Sequence, residues 1–137
     1  MEQLIQTVLH DFYPDKPIIA YTVIDIGLIN STYKIKTADA EYILQKINQI
    51  VFPNIKALLN NKIKTTCYLN ANGFFTLTFI ENRNGHFYSE QNQAIWQLST
   101  YIPSLVLDRI DSDAVASQVG AYLAKFHTAL LLSLIHI

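Results

Sequence analysis

Apolar positions along this chain recur first at helical spacing, then at the alternation of strands, and return to helical spacing twice more. Leu4, Ile5, Val8, Leu9 and Phe12 fall three to four residues apart, which gives a short helix one apolar face. Pro14 and Pro17 end it, because each pushes the residue before it toward extended backbone. Residues 17 to 26 are rich in Ile, Val, Tyr and Thr, side chains that suit a pleated surface, and predict a first strand. Residues 31 to 36 and 41 to 47 predict a second and a third. The connections are Gly27-Leu28-Ile29-Asn30 and Thr37-Ala38-Asp39-Ala40.

Phe52-Pro53-Asn54 stops the β pattern and offers Asn54 as a helix cap. Ile55, Leu58, Leu59, Ile63 and Cys67 then share a face, opposite Lys56, Asn60, Asn61 and Lys64. After Asn72-Gly73, residues 74 to 80 predict a strand, Asn84-Gly85 a hairpin turn and residues 86 to 88 the start of its return. Residues 94 to 102 predict another strand, with Trp96, Leu98 and Thr100 on one side and Ile95, Gln97, Ser99 and Tyr101 on the other. Pro103-Ser104 breaks that run, and Asp111 or Ser112 caps a last helix from about residue 113. Its apolar face holds Val115, Val119, Tyr122 and Phe126, widened by Ala116, Leu123 and Leu130. Antiparallel connections and one helix packed against the sheet make the expected class α+β.

Composition narrows the function classes. The 137 residues suit one domain or one lobe of a larger protein. Formal charge is −1 with no block of like sign, which argues against nucleic acid or an anionic membrane as a partner held by electrostatics. A single cysteine, Cys67, excludes an internal disulfide framework and fits a reducing compartment. Its place on the apolar helix face predicts a buried, inert thiol. Residues 1 to 16 include acidic side chains and lack the basic start of a secretory signal. No run reaches the roughly 18 apolar residues of a spanning helix. The expectation is a soluble, cytoplasmic chain.

Chemistry-bearing motifs are sparse. There is no HExxH, CxxC pair, G-x-S-x-G or GxxxxGK[ST]. His10, His86, His127 and His136 share no metal spacing, and His10 reads as a dipole contact or a solvent-facing side chain near a helix end. Asp108, Asp111 and Asp113 lack the glycine that a calcium loop needs. Asp25 reads as an edge-strand carboxylate, and Lys36 and Lys46 as strand lysines that reach solvent. Gly27 has two readings. It is an ordinary hairpin glycine, or one that lets backbone approach a ligand and turn its N–H groups toward phosphate oxygens.

Specific stretches bear on that choice. They are Gly27-Leu28-Ile29-Asn30-Ser31-Thr32-Tyr33, Tyr42-Ile43-Leu44-Gln45-Lys46-Ile47-Asn48 with Val51-Phe52, and Leu58-Leu59-Asn60-Asn61. Trp96 and Tyr101-Ile102-Pro103 complete the set. Together they resemble the amino-terminal lobe of the aminoglycoside and choline phosphotransferase superfamily of protein-kinase-like enzymes. The first two are similar to the G-H-I-N-D-T-Y and Y-I-L-Q-R-I-N…V-F stretches of the N-acetylhexosamine 1-kinase group. The resemblance spans about residues 18 to 128.

It implies a nucleotide-binding lobe over residues 1 to 102 and a hinge with the first carboxy-lobe helix over 103 to 130. Residues 131 to 137 would then be a non-native or truncated tail, or else the natural apolar end of that helix. Gly27, Leu28, Ile29, Asn30, Ser31 and Thr32 would cover the ATP phosphates. The third strand would add a phosphate contact from Gln45 or Lys46, which alternation sends to opposite faces. Lys46 is the choice because an ammonium neutralises phosphate and an amide does not. Adenine would meet backbone around Tyr101 and Ile102, with Ile26, Ile43 and Leu44 as walls. ATP and Mg2+ are implied for a full-length parent acting on a sugar or amino-sugar, with the catalytic H-x-D…N loop and the magnesium ligands in a carboxy-terminal lobe that this chain lacks. Aminoglycoside, choline or homoserine kinases are the nearest alternatives, and a non-catalytic binding module is the other class. The chain departs from the family pattern at Leu28 (His there) and Ser31 (Asp there), and residues 55 to 66 lack the usual Glu.

Overall fold

The computed structural model describes residues 1–27 and 29–135, with side chains described as far as residue 131. The chain forms two compact units, one of residues 1–63 and 77–101 and the other of residues 64–76 and 102–137. Helix α1 (Glu2–Phe12) comes first, then strands β1 (Ala20–Ile24), β2 (Ser31–Lys36) and β3 (Glu41–Lys46). Helix α2 (Ile55–Ala71), strands β4 (Ser89–Gln91) and β5 (Ala94–Thr100), and helix α3 (Asp113–Ile135) follow.

In the first unit the strands form one sheet in the order β1-β2-β3-β5-β4, every neighbouring pair antiparallel. Strand alternation divides its side chains between two faces. On one face Tyr33, Ile35, Tyr42, Leu44, Trp96 and Leu98 pack against the α1 stripe Ile5, Val8, Leu9 and Phe12. On the other, Ile47 and Ile95 pack against Ile55 and Leu59 of α2. The sheet therefore carries a helix on each face, where the apolar pattern predicts one. Central burial on both faces also explains why every residue from Ala94 to Ser99 is buried despite Gln97 and Ser99 among them. Removing a core side chain such as Leu98 should cost about 2–5 kcal/mol.

Two local expectations are corrected. Residues 74 to 80 form no strand; they meet the sheet through one bridge, Phe79 to Ser99, with Thr78 and Ile80 bonded to Thr100 and Leu98. Asn84-Gly85 does turn the chain, with Gly85 at φ +78°, yet joins no pair of strands. The reason is Asn82, whose Oδ1 accepts from the N–H of Asn84 and of His86 and whose Nδ2 donates to the Tyr88 carbonyl. That side chain satisfies backbone groups a partner strand would otherwise take. The sheet hairpin lies further on, at Asn92-Gln93.

Cys67 is exposed, not buried. The covered stripe of α2 runs Ile55, Leu59, Lys62, Thr66 and Leu69, steps of four and three, and Cys67 stands one position off it. The expected caps are present: Asn54 Oδ1 accepts from the Ala57 N–H, and Ser112 Oγ from that of Val115. In the second unit Phe74 packs edge-on against Tyr122 and Phe126 of α3, at centroid distances of 5.8 and 6.5 Å. Among the described residues no helix is long and apolar enough to cross a membrane.

Candidate functional site

Register places three polar side chains in one row across the middle of the sheet. Thr32 on β2 lies directly opposite Gln45 on β3, and Gln45 directly opposite Gln97 on β5. Directly paired residues share a face, and this is the α2 face, since Ile95 and Ile47 lie two residues along from Gln97 and Gln45. Gln45 Nε2 donates to Thr32 Oγ1 at 3.2 Å. At the far end Lys62 of α2 donates from Nζ to Gln97 Oε1 at 2.8 Å, with its ammonium 5.0 Å from the Phe79 ring centroid. Burial pulls Lys62 below the ordinary lysine value. Gln97 is 2% exposed, and its Nε2 is buried without a hydrogen-bond partner.

The near end of the row is the Gly27 turn. Gly27 is exposed, its φ is not in the left-handed region, and a Cβ there would meet only the Asn30 carbonyl, at 3.9 Å. The turn therefore needs no glycine for its backbone shape. A cavity of about 290 Å3 lies beside it, lined by Gly27, Ile29, Asn30, Ser31 and Thr32, with Asp25 adding a carboxylate. Asn30 Oδ1 accepts from the Asn48 N–H at 2.9 Å, and Asn48 Nδ2 donates to the Ile29 carbonyl at 3.1 Å. This clasp ties the turn to the end of β3. Leu28 lies outside the described residues.

Lys46 points the other way. It shares the α1 face with Ser31 and Trp96, its partners in register, and is exposed. With Ile29, Ser31, Asn48, Asn92 and Gln93 it lines a separate cavity of about 420 Å3 at the end of the sheet. Gln45 and Lys46 thus belong to different surroundings, and only Gln45 stands in the row with Thr32 and Gln97. Leu44 is fully buried in the α1-side core, so it cannot wall a ligand alongside Ile43, which faces the opposite side. Ile26 is exposed.

Tyr101 closes the first unit. Its N–H donates to the Glu41 carbonyl at 3.3 Å, and the Lys34 ammonium sits 3.9 Å from its ring centroid. A hydrogen bond to Glu41 raises Lys34 above its ordinary value. Ile102 belongs to the second unit. Among the described residues no three His, Cys, Asp or Glu side chains gather as metal ligands.

Lys62 is the residue that sequence reasoning missed. Read on its own, a lysine in a helix is a solvated residue; the signal was its place within the 55-59-62-66-69 stripe. No protein-family model matches the chain.

Proposed function

We propose that this chain is the nucleotide-binding portion of an ATP-dependent small-molecule kinase, whose parent transfers the γ-phosphoryl group to a sugar hydroxyl. The observation that supports the reading is the row Thr32–Gln45–Gln97, which leads from the Gly27 turn across the α2 face. Hydroxyl and amide groups in such a row can donate to phosphate oxygens, while the turn leaves backbone N–H groups near the same end. The unpartnered Gln97 amide fits a phosphate acceptor. ATP would supply the phosphoryl group; magnesium ligands and the catalytic base are not assigned to this chain, which has no Asp after Asp113.

A titration with a fluorescent ATP analogue tests the reading. Gly27→Val is a usable variant, because the added Cβ meets only the Asn30 carbonyl, at an ordinary contact distance of 3.9 Å. It should weaken binding, and Gln45→Ala should weaken it too, whereas Lys46→Ala and Lys36→Ala should change it little. Wild-type affinity in both Gly27→Val and Gln45→Ala leaves the turn an ordinary hairpin and the protein a binding module of another kind. Incubated with ATP, magnesium and hexosamines, the 137-residue chain should form no phosphosugar above a no-protein control.

A further inference from the structure

We propose that the cavity of about 420 Å3 at the end of the sheet binds a hydroxylated monocarboxylate, a sugar acid or comparable polyol acid, with Lys46 as its counter-charge. The nucleotide reading leaves this cavity unused, so the two stand independently. Its volume lies in the range of small-molecule sites. Two strand ends and two turns form its walls. They are Ser31 and Lys46, directly opposite in register, the turn of residues 48–50, and the Asn92-Gln93 hairpin. All belong to the first unit.

The lining carries charge of one sign. Among the described residues no carboxylate borders the cavity, and the Lys46 ammonium has no ion-pair partner, whereas Lys16, Lys34 and Arg83 each have one. One ammonium balances one negative charge, which favours a carboxylate over a phosphate dianion. The other polar groups include the Ser31 hydroxyl and the amides of Gln49, Asn92 and Gln93, and none of these side chains hydrogen-bonds to another described residue. Amides both donate and accept, as the hydroxyls of a polyol do. Ile29 and Ile50 add apolar surface for its C–H groups.

The fold holds these groups in place by its own contacts. Asn48 Oδ1 accepts from the N–H groups of Ile50 and Val51, and its Nδ2 donates to the Ile29 carbonyl. The turn that bears Gln49 is thereby pinned to the one that leads into Ser31. At the hairpin, Gln93 has φ +60°, a conformation that glycine adopts at less cost. A glycine there would take the amide away from the cavity. The strained residue is thus one that sets a polar side chain at the site.

NMR titration of the full, isotope-labelled chain at fixed ionic strength, with glucuronate, glucose and ATP as separate ligands, tests the assignment. Glucuronate should bind the wild type and shift the amide resonances of residues 48–50 and 92–93. Glucose, similar in shape and uncharged, should bind about tenfold more weakly. Lys46→Ala should lower glucuronate affinity by about the same factor. Lys36→Ala, an equal change of net charge at the other end of β2, should not. Gln93→Gly should weaken glucuronate binding while raising the urea midpoint, and a residue that serves only the fold would not move the two in opposite directions.

The proposal is overturned if glucuronate does not bind the wild type, if glucose binds as tightly, or if Lys46→Ala and Gln93→Gly both bind glucuronate as the wild type does. ATP binding that falls in Lys46→Ala while glucuronate binding does not would assign the cavity to nucleotide phosphates and remove the acid. Glucuronate binding that survives Gln45→Ala, whatever becomes of ATP, supports a separate site.

Discussion

Asp11, near the end of α1, holds three parts of the first unit together. Its carboxylate accepts from Ser89 Oγ and, at 2.8 Å, from Gln91 Nε2, both on β4, and pairs with Arg83 at 3.5 Å. Ser89 is buried, so Asp11→Ala would leave its hydroxyl without an acceptor. An unsatisfied buried group costs about 1–3 kcal/mol, and urea denaturation should show a loss of about 2 kcal/mol. Arg83 is half exposed, and Arg83→Ala should cost less than about 1 kcal/mol. Equal losses in the two variants would contradict this division. Lys62 makes a second residue-scale prediction. Burial lowers its folded value, so between that value and the ordinary one the unfolded chain holds more protons, and stability rises with pH. Below the folded value both states are protonated and the penalty is constant; above the ordinary value both are neutral and it is gone. Gln97, to which it donates, and Phe79, whose ring it faces, carry no titrating group. Urea midpoints should therefore rise with pH more steeply in the wild type than in Lys62→Met, and parallel profiles would refute the effect.

At the scale of elements, the informative feature is the β4–β5 hairpin. Its central residues, Asn92 and Gln93, both have positive φ, 52° and 60°. A two-residue turn with that geometry matches the twist of its strands, and Asn followed by Gly is its usual sequence. Gln93 pays the left-handed cost with a side chain that is exposed. Gln93→Gly should relieve roughly 1 kcal/mol of that strain and lose part of the gain to unfolded-chain entropy, a net stabilisation of about 0.5 kcal/mol. Gln93→Val, branched at Cβ, should be destabilising, and a denaturant series on both variants reads the sign. Asn84-Gly85 has the better hairpin sequence, yet Asn82 captures the surrounding backbone groups. Local turn chemistry was legible at Asn84-Gly85; that the strands are joined at Asn92-Gln93 was not.

For the molecule as a whole, the second unit presents apolar surface. Leu105, Val106, Leu107 and Ile110 are 53–85% exposed within six residues, and Val119, Tyr122, Leu123 and Leu131 of α3 are also exposed. Apolar side chains grouped in this way favour association. The triple substitution Leu105→Ser, Val106→Ser and Leu107→Ser should raise the monomer fraction in size-exclusion chromatography at matched concentration. An unchanged elution profile would show that this stretch drives no association.

Periodicity and strand-forming composition determined the helices at the start, middle and end of the chain, and the three strands before α2. Those elements are bounded by short-range chemistry: Pro14 and Pro17 after α1, and the Asn54 and Ser112 caps that open α2 and α3. It also placed Gln45 and Lys46 on opposite faces, since alternation is a property of a single strand. Which of the two faces carried the polar row depended on pairing, because Thr32, Gln45 and Gln97 come together only through the β2–β3 and β3–β5 registers. Likewise the burial of Leu44 and the inward turn of Lys62 depended on where α1 and α2 docked. A helix stripe one residue wide shifts from core to solvent with a rotation of about 100°, and nothing local to the sequence fixes that rotation. The packing of the two helices on opposite faces of the sheet decided it.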